Sequence, residues 1–177
     1  SATTINAETS RIILDAQSIA DMTMKGGDKT YNNLRVSGNF DNDNSLLDHN
    51  TFNVFDNTKT SACTILLEEA GTHTFADWQV SGTSGNLATI SSCTSSAVPS
   101  TNTHTLLKTG GGFVYEDYLD IAHSIATPVN TWFAGLNSAN NQTEATTGSG
   151  WDFNVTPTLL SVFDSISIAE NTTLEAN

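Results

Sequence analysis

The densest run of metal-type ligands in this 177-residue chain is Asp41-Asn42-Asp43-Asn44, with Asp48 and His49 just beyond. Calcium takes roughly six to eight oxygen ligands on a tightly turning loop, and the run opens like an EF-hand loop. It then departs from that pattern, because Ser45 and Leu46 stand where a further ligand and the turn glycine belong. Asp41, Asp43 and Asp48 are therefore metal candidates whose plainer reading is a hydrated Asn/Asp corner.

Glu116, Asp117 and Asp120 have the side chains of a glycosidase or lyase. On one extended strand Glu116 and Asp120 share a face but lie about 13 Å apart along it, and Asp117 points the other way. A solvated acidic face is the simpler expectation, and no catalytic residue is assigned. His49, His73, His104 and His123 show no HExxH pattern and no close pairing, so structural or exposed roles are expected of them. No nucleotide-binding glycine motif or nucleophile elbow is present, and no cofactor is implied.

Cys63 and Cys93 are the only two cysteines. Their separation fits neither a zinc motif nor a redox motif. A disulfide and a pair of buried thiols both remain open, with the two residues expected close in space. Among the tryptophans, Trp78 reads as core. Trp132 and Trp151 flank polar stretches, which makes them candidate glycan contacts beside the alternative of packed loop anchors.

The chain carries 6 Lys and Arg against 19 Asp and Glu, a net charge of −13. That balance repels phosphate backbones and anionic membranes, so nucleic-acid partners are not expected. No apolar run is long enough to insert into a membrane. Ser, Thr and Asn supply more than a third of the residues, a composition that suits strands and turns over helix bundles.

Internal similarity gives these residues a scaffold. Thr30-Tyr31-Asn32-Asn33-Leu34-Arg35-Val36-Ser37-Gly38 recurs as Thr74-Phe75-Ala76-Asp77-Trp78-Gln79-Val80-Ser81-Gly82, and Thr51-Phe52-Asn53-Val54-Phe55 lies between. Asp117-Tyr118-Leu119-Asp120-Ile121 is a fainter copy. Spacings of about 21 to 23 residues are those of a solenoid. In a β-solenoid, Leu34, Phe55, Trp78 and Leu119 would stack as one inward ladder, with Ser-Gly at the corners. The stretch 9–27 reads as a helix capped by Thr9 or Ser10 and stopped at Gly26-Gly27, with a short strand at Ile12–Leu14 as the competing reading. Residues 124–149 read as one or two long surface loops, and residues 154–177 as a linker or the start of a following domain.

Phe75 to Ile90, Tyr115 to Ile121, Trp132-Phe133-Ala134-Gly135 and Gly150-Trp151-Asp152-Phe153 together resemble a module widespread in structural proteins of tailed bacteriophages and in large bacterial surface proteins. The resemblance spans about residues 29–153 and implies a right-handed parallel β-helix without attached catalytic residues. The serine-rich region from Ser91 to Asn102 departs from it. The resulting expectation is a cap over 1–28, a β-helix over 29–153 and a linker over 154–177, with a β-sandwich as the alternative fold. The expected role is a non-enzymatic virion-surface protein of decoration, fibre or tail type, multicopy or homo-oligomeric among other structural proteins. Alternatives are an extracellular or bacterial-surface adhesin that binds a host glycan and, further off, a polysaccharide-active enzyme.

Overall fold

In the computed structural model, which describes residues 10–141 and 149–153, short extended segments alternate with sharp corners and each returns beside its counterpart one coil earlier. The molecule is a parallel β-helix. One sheet stacks Arg11–Ala16, Thr30–Gly38, Thr51–Asn57, Thr72–Gln79, His104–Lys108 and Ser124–Thr127 in that order. A second stacks Met22–Lys25, Asp43–Leu47, Cys63–Glu68, Ala88–Cys93, Leu119–Ile121 and Ala139–Asn140. From the fifth coil onward a third, narrow sheet of Val114–Tyr115, Trp132–Phe133 and Trp151–Asp152 opens between them. Among the described residues there is no helix, and the one antiparallel strand pair is Pro99–Ser100 against Ala88–Cys93.

Parallel pairing in register turns the sequence repeat into ladders. Ile12, Leu34, Phe55 and Trp78 are successive partners, and so are Tyr31, Phe52 and Phe75. Tyr31 stacks on Phe52 at 5.6 Å between ring centroids and Phe52 on Phe75 at 5.9 Å, while Trp78 meets both Phe55 and Phe75 edge-on at 4.8 Å. These geometries add to area burial rather than merely filling space. Leu34, Phe52, Phe55 and Phe75 are wholly buried, in one core that continues through Ile65, Ile90, Leu106 and Trp132.

Leu119 corrects the fourth copy of the repeat. It is buried in the same core, but it lies on the second sheet, opposite Ala88 and in line with Cys63, not above Trp78. The helix expected over 9–27 is also not formed. Arg11–Ala16 and Met22–Lys25 make the first coil, pairing with Thr30–Gly38 and Asp43–Leu47. Ile19, which a helix would have buried, is 78% exposed at the corner between them. Residues 124–140, expected as loop, continue the stack through three strands. The linker expected over 154–177 lies outside the described residues.

The return corner from second sheet to first has one recurring backbone device. Asp28, Asp48, Ala70 and His123 each take a positive φ, between 53° and 64°, once per coil at equivalent places. A left-handed residue there reverses the chain in the few positions available. Only the fourth coil differs, because residues 94–103 leave the stack as an arm before the corner. Ala97 of the arm packs over Leu47, Leu66 and Cys93 on the outside of the second sheet, and Glu69 holds the arm by accepting from the Ser100 hydroxyl and, at 3.1 Å, from Asn102 Nδ2. The serine-rich departure from the resemblance is this arm.

Trp78→Ala removes a ring that touches three ladders, so a loss of about 3–5 kcal/mol in urea unfolding is expected. Ile19→Ser, at an exposed corner, is expected within about 0.5 kcal/mol of the parent protein. Equal effects would mean that the ladder does not carry the core.

Candidate functional site

Strand alternation decides what the narrow third sheet shows to solvent. Val114, Trp132 and Trp151 are register partners and point inward, whereas Tyr115, Phe133 and Asp152 are partners one position later and point outward. Tyr115 and Phe133 stack at 5.0 Å, and Phe113, at the approach to the sheet, lies 5.7 Å from Tyr115 and 5.8 Å from Phe133. Phe113 is 57% exposed and Tyr115 49%. Three aromatic rings thus form one surface cluster, with a carboxylate in register at its end.

Trp132 and Trp151 are not the exposed rings. Trp132 is fully buried and Trp151 nearly so. They pack edge-on at 5.1 Å, Trp132 lies 5.9 Å from Trp78, and their indole N–H groups donate to the Thr127 carbonyl at 3.0 Å and the Ser124 hydroxyl at 3.1 Å. No face is left for a sugar, which removes both as glycan contacts. The outward positions are one residue further on, at Phe133 and Asp152.

The other candidates disperse or turn inward. Asp41 and Asp43 precede or begin the strand Asp43–Leu47, and Asp48 follows its far end, roughly 16 Å away at the rise of a strand. Asp48 instead accepts from the Gly27 N–H at 2.6 Å, and among the described residues no group of three or more acidic, His or Cys side chains converges as a metal site. Cys63 and Cys93 do fall on neighbouring strands, but Cys63 faces Ala88 while Cys93 faces Glu68. That places them about five strand positions apart, roughly 16 Å and far beyond bridging distance. Both are free thiols, one inside the core and one under the arm, so neither the disulfide nor the expected proximity holds. Burial pushes each thiol up to about 11, which makes them poor nucleophiles. Thiol-labelling reagent is expected to leave both unmodified in the folded protein and to modify both after denaturation; fast labelling of either in buffer contradicts this burial.

The three carboxylates of 116–120 are tied to other coils. Asp117 accepts from Asn137 N at 2.9 Å and Nδ2 at 2.6 Å, and Asp120 from Asn141 Nδ2 at 2.5 Å. Glu116, expected on a solvated face, is 9% exposed and accepts the Ser81 hydroxyl at 2.6 Å. Desolvation, eased by that hydrogen bond and worsened by Asp77, pushes its carboxyl up to about 7.

Sequence reasoning missed the histidine row. His49, His73 and His104 come from successive coils, with ring centroids 5.4 and 6.3 Å apart. Gly71 makes room for it, since a Cβ there would lie 1.9 Å from His49 Nε2. His73 and His104 are fully buried, and their partners fix their protons. His73 Nε2 faces the Glu68 carbonyl at 3.1 Å and must donate. Ser92 gives its hydroxyl proton to the His123 carbonyl at 3.0 Å, so its oxygen accepts from His104 Nδ1 at 2.7 Å. The second nitrogen of each ring has no hydrogen-bond partner. A proton added there would be a buried charge without an acceptor. Burial accordingly pulls His73 down to about 4, and His104 well below the ordinary range. The signal in sequence was the separation of His49 from His73, close to one coil.

No family model, curated protein or solved structure matches the chain. What fold and surface define is a class: a parallel β-helix with an aromatic core, a row of histidines from successive coils along one corner and an aromatic cluster outside its narrow sheet.

The pH dependence follows from these groups. His73, lowered from 6.5 to about 4, contributes stability that is complete above pH 6.5 and is lost as pH falls toward 4. Glu116, raised from 4.5 to about 7, contributes stability that is complete below pH 4.5 and is lost as pH rises through 7. Glu116→Gln removes only the second effect. Its urea midpoint should rise at pH 8, by an equivalent of at most about 3 kcal/mol, and stay unchanged near pH 4.5. A variant less stable than the parent at pH 8 contradicts the burial of a charged Glu116.

Proposed function

We propose that this chain is a non-enzymatic structural module of a surface assembly, of the kind that forms fibre, tail or decoration proteins of a bacteriophage particle. The observation that carries the reading is the Phe113–Tyr115–Phe133 cluster, a contiguous aromatic contact surface on the outside of a stacked coil. Exposed aromatic groupings on proteins that are otherwise polar mark interaction sites. The resemblance of residues 29–153 to phage and bacterial surface modules supports the same reading. So does the surplus of 19 acidic over 6 basic residues, which holds assemblies apart in solution. Glu116, Asp117 and Asp120 are each committed to hydrogen bonds between coils, an arrangement that suits structural work.

The same cluster favours a second reading, a glycan-binding adhesin on a virion or cell surface. Stacked rings offer an apolar face of the kind against which a sugar ring packs, and the acidic surface selects for a neutral sugar over an acidic one.

A triple variant, Phe113→Ser with Tyr115→Ser and Phe133→Ser, separates these readings in the native particle or on the native cell. The structural reading expects incorporation to fall at least about tenfold with the fold retained by circular dichroism. The adhesin reading expects normal incorporation with loss of binding on a glycan array. Unchanged incorporation and unchanged glycan binding overturn both. Polysaccharide cleavage that disappears in Glu116→Gln or Asp120→Asn overturns the non-enzymatic assignment.

A further inference from the structure

The turn after Thr51–Asn57 contains a lysine where solvent would be expected. Lys59 is 4% exposed, its backbone N–H donates to Asn57 Oδ1 at 3.0 Å, and its ammonium Nζ donates to Asn42 Oδ1 at 2.5 Å. Asn42 is itself 5% exposed and occupies the equivalent corner one coil earlier. Its amide is held the right way round, because Nδ2 donates to the Ala20 carbonyl at 3.1 Å and leaves the carbonyl toward the lysine. Adding the length of a C=O bond, about 1.23 Å, to the 2.5 Å contact places the Asn42 amide carbon no more than about 3.7 Å from Nζ. That approaches the separation of about 3–3.5 Å from which reacting atoms proceed.

We infer that Lys59 and Asn42 are a self-crosslinking pair, in which the lysine amine displaces ammonia from the asparagine side chain to form an isopeptide bond between successive coils. The inference is independent of the function proposed above. Nζ first gives up a proton; with Cys63 held as a thiol by burial, the negative charge acting on Nζ is Asp41, next to Asn42 in the chain. The neutral amine then adds to Cγ. The C–Nζ bond forms, the C–Nδ2 bond breaks, and the leaving nitrogen departs as ammonium, taking up the proton held by Asp41 and the second proton that Nζ sheds on becoming an amide. In sum, a lysine ammonium and a carboxamide become a secondary amide and an ammonium ion, with no oxidant and no cofactor.

The setting favours each part. Burial lowers the proton affinity of Lys59, against the opposing pull of Asp41, so more of it is the free amine that attacks. The competing nucleophile, Cys63, accepts from Asn57 Nδ2 at 3.3 Å and stays a thiol, because burial pushes it up to about 11.

Mass spectrometry of the intact, denatured full-length protein decides the matter without any substitution. The expected mass is one ammonia lighter than the sequence, with a branched peptide joining Lys59 to Asn42 after proteolysis. The full sequence mass, persisting after long incubation of folded protein at pH 8, overturns the inference and leaves a hydrogen-bonded corner. A succinimide at Asn42 loses the same ammonia, so Lys59→Arg is the control. Return to full mass supports the isopeptide, and continued loss of ammonia overturns it. Asp41→Asn, kept only if circular dichroism shows the parent fold, is expected to slow crosslinking at least about tenfold, within the usual worth of a proton acceptor. Crosslinking at the parent rate overturns the role given to Asp41.

Discussion

Each coil closes its backbone hydrogen bonds on the coils before and after it, and the pairing is parallel and in register. A residue's packing neighbours are consequently the residues one coil away, whatever lies between them in sequence. Burying an aromatic ring at one level therefore demands a compatible ring at the next, and the progression from Tyr31 through Phe52 to Phe75 meets that demand. The interior is too narrow to accept a shift of one residue, which would turn Leu34, Phe55 and Trp78 out to water.

The same constraint explains how polar and charged groups come to be inside. A side chain sits against its counterparts above and below wherever it lies, so on the outward face of the first sheet Arg35 meets Asp56 across adjacent strands, its Nε donating at 2.6 Å. The histidine row and the Asn42–Lys59 contact arise in this way. Stacking brings like positions together irrespective of chemistry, and the chain then adapts through tautomers, a missing Cβ at Gly71 and shared hydroxyls.

How much of this is legible in sequence depends on whether the coil length stays constant. Leu34, Phe55 and Trp78 could be aligned because their coils differ by only a couple of residues. Leu119 was misplaced because the arm at 94–103 and the third sheet lengthen the chain between Trp78 and Leu119, so a count of periods no longer identifies a sheet. The first coil escaped because Ile12, Ala16, Ile19 and Ala20 fit a helical face as well as a strand, and only pairing with Thr30–Gly38 decides between them. The aromatic surface was missed by one position: at two-residue strands, composition cannot tell Trp132 from Phe133, and the choice is made by the core, which takes the larger ring. The cysteines fell on adjacent strands as their spacing suggested, yet at opposite ends, since spacing gives the coil and not the place along it.

The cross-section changes along the axis. The first four coils are bounded by two sheets, and the later ones by three. Among the described residues, a two-sheet coil and a three-sheet coil therefore differ in the number and outline of their strand rows, so one is a poor template for the other. A parallel stack of uniform section carries the standing hazard of growing without limit by adding copies end to end. Here the change of section works against such growth among the described coils, because a level of three short rows and a level of two longer ones do not continue each other.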